Sequence, residues 1–107
     1  MRRGEIWSAE LPHTAGRRPV VLLSRDEAYA VRELVTVAPV TTRIRGLPVE
    51  VPLGREDGVP KACAVNLDTI TTIPKASLKD LIAYLPDAKR RALDAAIRFA
   101  LGLDEEA

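Results

Sequence analysis

The sequence predicts one small, mostly β domain finished by a C-terminal amphipathic helix. Three stretches predict it. Val20-Val21-Leu22-Leu23 follow Arg17-Arg18-Pro19 with no polar residue among them, and an uninterrupted apolar run of that length reads as a strand buried on both faces, because a strand with one wet face alternates. Leu34 to Val40 is again rich in β-branched residues and leads into two hydroxyls, Thr41 and Thr42. From Asp87 onward, Leu93, Ala96, Ile97, Ala100 and Leu101 share one helical face, while Lys89, Arg90, Arg91 and Asp94 lie largely off it.

The elements follow in order. Glu5 to Leu11 alternates loosely around Trp7 and suits a first antiparallel strand. Pro12 to Gly16 is a turn by composition, so strand, link and strand read as a hairpin. Pro19 has no N–H for a ladder and suits the first residue of the second strand. Arg25 to Glu33 is polar without a clean period and reads as a loop with one helical turn. Pro39, near the end of the third strand, suggests an edge or a bulge. Arg43 to Pro48 is a turn, with Val49 to Leu53 as the returning strand, and Gly54 to Lys61 is a charged loop. Ala62–Asn66 and Thr69–Ile73 form one long bent strand or two. Residues 74–86 are open to two readings. Ser77 and Asp80 resemble a capping box, with Leu78, Leu81, Ile82 and Leu85 at helical spacing, yet Pro74 and Pro86 leave little room and Leu81 to Leu85 also suits a last strand. The final helix takes Asp87 as N-cap and Gly102 as its stop, with Leu103 folding back on the last turn.

At 107 residues the chain makes a single domain, 1–107, with a modest core. Its composition, 47% hydrophobic and 29% charged, is that of a globular protein rather than a disordered one. No apolar run approaches bilayer length, and the basic residues at 2 and 3 precede no apolar segment of the secretory kind. The lone cysteine, Cys63, excludes an internal disulfide, fits a reducing cytoplasm and reads as a buried strand thiol. Net charge is +1, and the halves 1–53 and 54–107 carry 8 basic with 6 acidic and 8 with 9. A polyanion site, if present, is therefore local. If the ends of the second and third strands meet, Arg18 and Thr41 share a pocket of donors with no carboxylate between them, a place for a phosphate.

Six pieces, in order and over nearly the whole chain, resemble the MazF/PemK toxins, the mRNA interferases of type II toxin–antitoxin modules. They are Arg3-Gly4-Glu5-Ile6-Trp7, Arg18 to Ser24, Val37 to Thr41, Leu47 to Val51, Val65 to Ile73, and the helix ending Leu101-Gly102-Leu103. The resemblance implies a small SH3-like antiparallel barrel of the MazF/CcdB type with a C-terminal helix, α+β overall, and favours the strand for Leu81 to Leu85 after a helical turn near 75–79. It implies a cytoplasmic homodimer that cuts single-stranded RNA at specific sequences without the ribosome and is neutralised by the C-terminal segment of a MazE-like antitoxin.

Carried over by position, the family's essential arginine falls on Arg18 and its threonine on Thr41. The chain departs from the family pattern in a short 12–17 loop and in Asp68-Thr69, where relatives often have an acidic residue followed by Gln. The reaction implied is attack of the 2′-OH on the adjacent phosphorus. A guanidinium suits it, because its planar fork pairs two phosphate oxygens at once. His13, Arg17, Thr42, Arg43, Arg45, Asp68 and Thr69 are the candidates for holding RNA, each with an ordinary solvated-surface reading beside it. No cofactor is implied, and one His, one Cys and no paired carboxylates at ligand spacing argue against a metal site. The competing class is a binding module like the gyrase poison CcdB, which shares the fold and acts by protein contact.

Overall fold

The structure, a computed structural model, describes residues 1–12 and 14–103. Among these, seven strands are β1 (Glu5–Glu10), β2 (Arg17–Leu22), β3 (Leu34–Thr41), β4 (Glu50–Leu53), β5 (Cys63–Asn66), β6 (Thr71–Pro74) and β7 (Leu78–Tyr84). Two helices are α1 (Ala28–Val31) and α2 (Asp87–Leu101). The sheet runs β4-β5-β3-β2-β1-β7, with β6 beside β3, and every pairing is antiparallel. It is not closed: β4 and β7 are its two ends.

From Val20 to Leu22, β2 is buried on both faces, as its sequence predicts. Val21 joins Ile6, Leu85, Leu93 and Ala96 in one core, while Val20 and Leu22 join Tyr29, Val35, Val37 and Ile73 in another. Successive side chains of a strand point to opposite faces, so the part of β2 that feeds two cores has no polar position. α2 lies over the first core through Leu93 and Ala96. No helix among the described residues is long and apolar enough to cross a membrane.

Several expectations need correction. Pro39 lies on neither an edge nor a bulge; β3 is the most connected strand, with β2 on one side and β6 then β5 on the other. Thr36 O accepts from Leu23 N–H, so by alternation the backbone groups of residue 39 face away from β2. There they meet the gap between β6, last paired at Val37, and β5, first paired at Val40. The missing N–H therefore leaves no rung broken. The returning strand β4 begins at Glu50 and pairs with β5, which lies between it and β3.

β5 and β6 are two strands separated by a single 3₁₀ turn, Leu67–Thr69. Residues 78–84 form a strand, because β1 needs a partner on its outer edge; Asp80 N–H donates to Ser8 Oγ and Asp80 pairs across to Arg17. Helix α2 is capped by Pro86, not Asp87. The Pro86 carbonyl accepts from Lys89 and Arg90 N–H, and Asp87 in the first turn reaches Arg90 and Arg91. Gly102 ends the helix at φ 68°, and Leu103 N–H returns to Arg98 O. The Leu101 and Leu103 side chains stay exposed rather than packing inward.

Candidate active site

The site begins with a ladder that stops. β2 and β3 pair as Leu22↔Val37, Val21↔Ala38 and Val20↔Pro39. Leu23↔Thr36 is a hydrogen-bonded rung, so Val21↔Ala38 is the next and Pro19↔Val40 would follow. Pro19 has no N–H to give. Sequence reasoning placed it at the strand's start; the strand begins two residues earlier at Arg17, held there by β1 alone. Beyond Val20 the two strands therefore part. The same register, continued past the last rung, sets Arg18 opposite Thr41 and Arg17 opposite Thr42.

The space between the strands is a cavity of about 300 Å³. Arg17, Arg18, Pro19, Val40, Thr41 and Thr42 border it. β1 and β7 add Ser8 and Ile82, and the segment leading into β5 adds Val59, Pro60, Lys61 and Cys63. The walls are mainly apolar, and among the described residues no carboxylate lines them. The Arg18 side chain is exposed and makes no ion pair or hydrogen bond among the described residues. Thr41 Oγ1 accepts from Arg43 N–H at 3.1 Å, which occupies a lone pair and leaves the hydroxyl proton to donate. Arg17 is paired with Asp80 on β7. Cys63 is buried here; burial first, and the charge of Asp57 second, push its thiol up, so it enters as a neutral group.

The turn after Thr41 is organised by a buried acid. Glu50, 8% exposed, accepts the backbone N–H groups of Arg45, Gly46 and Leu47 and the Arg45 Nε at 3.2 Å. Burial pushes its carboxyl up, but those donors together outweigh it and hold it below the ordinary value of 4.5. Glu5 behaves alike: burial raises it, while Trp7 Nε1–H, Arg2 and the N-terminal charge bring it below 4.5.

Both folded-state values are depressed, so this stabilisation is full above the unfolded value and is lost as pH falls through the folded one. Tm is therefore expected to fall as the solution is acidified below about 4.5, and Glu50→Gln to remove part of that dependence. An identical acid profile in the variant would show that Glu50 does not hold the turn.

Of the residues singled out by sequence, the fold brings Arg17, Arg18, Thr41 and Thr42 together around the cavity, with Arg43 adjoining. Arg45 turns instead to Glu50. Asp68 and Thr69 sit outside the cavity on a self-contained turn, where Asn66 Oδ1 accepts from Asp68 N–H and Asn66 Nδ2 donates to Thr69 Oγ1. His13 lies outside the described residues. Lys61 borders the cavity and sequence reasoning missed it; it stands 20 residues from Thr41 in a charged loop, and only the β3–β5 pairing Thr41↔Ala64 brings it there.

The family model described as "PemK-like, MazF-like toxin of type II toxin-antitoxin system" matches residues 2–101. The probable endoribonuclease MazF5 of Mycobacterium tuberculosis is 43% identical over 100 residues, covering 92% of this chain and 91% of the relative. Endoribonuclease MazF3 of the same organism is 40% identical over 87 residues, 81% and 84% of the two chains. Among solved structures, the M. tuberculosis toxin MazF-mt6 superposes with a TM-score of 0.86 at 38% identity, covering 94% of this chain and 99% of that one. A mycobacterial endoribonuclease in complex with its cognate antitoxin gives 0.88 at 26% identity, covering 99% of both. On the family match and these identities, the chain belongs to the PemK-like, MazF-like toxins of type II toxin–antitoxin systems.

Proposed function

We propose that this chain is a sequence-specific, ribosome-independent endoribonuclease toxin of the cytoplasm that cuts single-stranded RNA, messenger RNA foremost, and is neutralised by a MazE-like antitoxin. One observation carries the reading: an arginine with no anionic partner among the described residues and a threonine hydroxyl border one cavity, which no carboxylate of those residues lines. The substrate supplies its own nucleophile. The 2′-oxygen bonds to the adjacent phosphorus, the P–O5′ bond breaks, the 2′-OH proton leaves to solvent and the 5′-oxygen takes one up. The products are a 2′,3′-cyclic phosphate and a 5′-OH.

The protein's task is to orient the ribose and stabilise negative charge gathering on phosphorus. Arg18 presents its fork to two non-bridging oxygens, and Thr41 donates its hydroxyl proton to the same group. Arg17, Thr42 and Arg43 extend the donor surface along the strand ends. Arg17 must exchange Asp80 for phosphate, a small cost because the pair is exposed. The working form is a homodimer, a reading supported by Leu81, Ile82 and Tyr84 exposed on the end strand β7 and by Phe99, Leu101 and Leu103 exposed at the end of α2. An acidic, disordered antitoxin segment fits beside Arg17, Arg18 and Arg43 and competes there with RNA.

The test is to incubate the purified chain with a long RNA and map the fragment ends. Discrete fragments ending in 2′,3′-cyclic phosphate are expected, with EDTA without effect and a 2′-deoxy ribose at the mapped position blocking the cut. Cleavage of the deoxy substrate, or inhibition by EDTA, would overturn the mechanism.

A further inference from the structure

Resting on the ribonuclease reading above, we propose that Lys61 is a second phosphate-binding cation of the RNA site, acting on the substrate backbone beside Arg18. Three cationic side chains border the cavity: Arg17, Arg18 and Lys61. Arg17 is balanced by Asp80. Among the described residues, the Arg18 and Lys61 side chains make no ion pair or hydrogen bond, and no carboxylate lines the cavity to offset them. The buried acid of Lys61's own loop, Asp57, is satisfied elsewhere; its Oδ2 accepts from Gly54 N–H at 2.9 Å and faces Lys89 Nζ at 3.8 Å.

The fold fixes where Lys61 stands. Two residues on, Cys63 opens β5, and Ala64 pairs with Thr41. Continued one step, that register sets Cys63 opposite Thr42. Lys61 thus approaches from the β5 wall, while Arg18 approaches from β2. Two exposed cations border one apolar-walled opening, so an anion that enters it meets positive charge from two sides. A phosphodiester brings one negative charge, and negative charge on its non-bridging oxygens grows as the 2′-oxygen attacks. Arg18 supplies the planar fork. Lys61 supplies a compact charge with three donors that can turn to either the scissile phosphate or its neighbour.

The test uses the full chain and an RNA oligonucleotide spanning a mapped cleavage position, in all-ribo form for rates and 2′-deoxy at that position for binding. Lys61→Ala is expected to bind about tenfold more weakly. The slope of log K against log salt should shrink by about 0.7, the share of one phosphate on a single strand. Lys61→Arg should restore both, and the Ala variant should keep the wild-type Tm because the side chain is exposed in a loop. A fall in kcat assigns Lys61 to the scissile phosphate and a rise in KM alone assigns it to a neighbour, both in support. Unchanged affinity, slope and rate overturn the proposal, while wild-type cleavage in the same assay leaves the ribonuclease reading standing. A wild-type chain that neither binds nor cuts RNA overturns both.

Discussion

Arg18→Ala is expected to abolish RNA cleavage and growth inhibition and to leave the fold intact. The side chain is exposed at the cavity rim and bonds no other group among the described residues, so its removal costs little packing. Losing one preorganised donor to a developing oxyanion costs about 10²–10³ in kcat, and the guanidinium presents two at once. Arg18→Lys should recover little, since a point charge cannot reproduce the fork. Thr41→Ala should lose less, a single neutral hydroxyl being removed. Fragment yield from a long RNA measures the first effect; circular dichroism and light scattering check the fold and the oligomeric state. Cleavage by Arg18→Ala at the wild-type rate would place the site elsewhere.

The second large effect is on stability. Leu93 is 0% exposed and, with Ala96, is one of two fully packed residues by which α2 grips the first core. Leu93→Ala removes the larger of these two side chains and leaves a cavity in that core. The expected loss is about 2–5 kcal/mol, set against a total of roughly 5–15 kcal/mol for a domain of this kind. Tm should drop by roughly 10 °C or more. Ala95→Ser on the exposed side of the same helix serves as the control and should move Tm little. Equal Tm values in wild type and Leu93→Ala would mean that α2 is not part of the cooperative unit.

What the sequence made legible was local. The polar-free run Val20 to Leu22 could only be a strand with two buried faces, and Gly102 after an apolar helical face could only be a stop. The meeting of Arg18 and Thr41 was legible because both follow from where apolar runs begin and end. Long-range partners were not. Pro39 reads as an edge residue until β6 and β5 are known to leave a gap beside it. Residues 78–84 carry leucines at spacings that suit helix and strand alike, and the unpaired edge of β1, some seventy residues earlier, decides between them. Arg45 looked like its neighbour Arg43, because nothing in Pro48-Val49-Glu50 announces that the carboxylate is buried beneath the turn. Lys61 carried no mark at all.

The pairing of β1 with β7 bears on how the protein is made. As the chain is made, β1 finds one neighbour soon, in β2, but its other edge waits for residues 78–84. The cavity waits too, because Ile82 belongs to that last strand and the wall carrying Lys61 and Cys63 arrives only shortly before it. Assembly from contacts so distant along the chain is slow. A nascent or truncated chain ending before Leu78 lacks one wall of the cavity and leaves β1 with an open edge. The cavity is thus completed only once Ile82 has been made and β7 has joined β1.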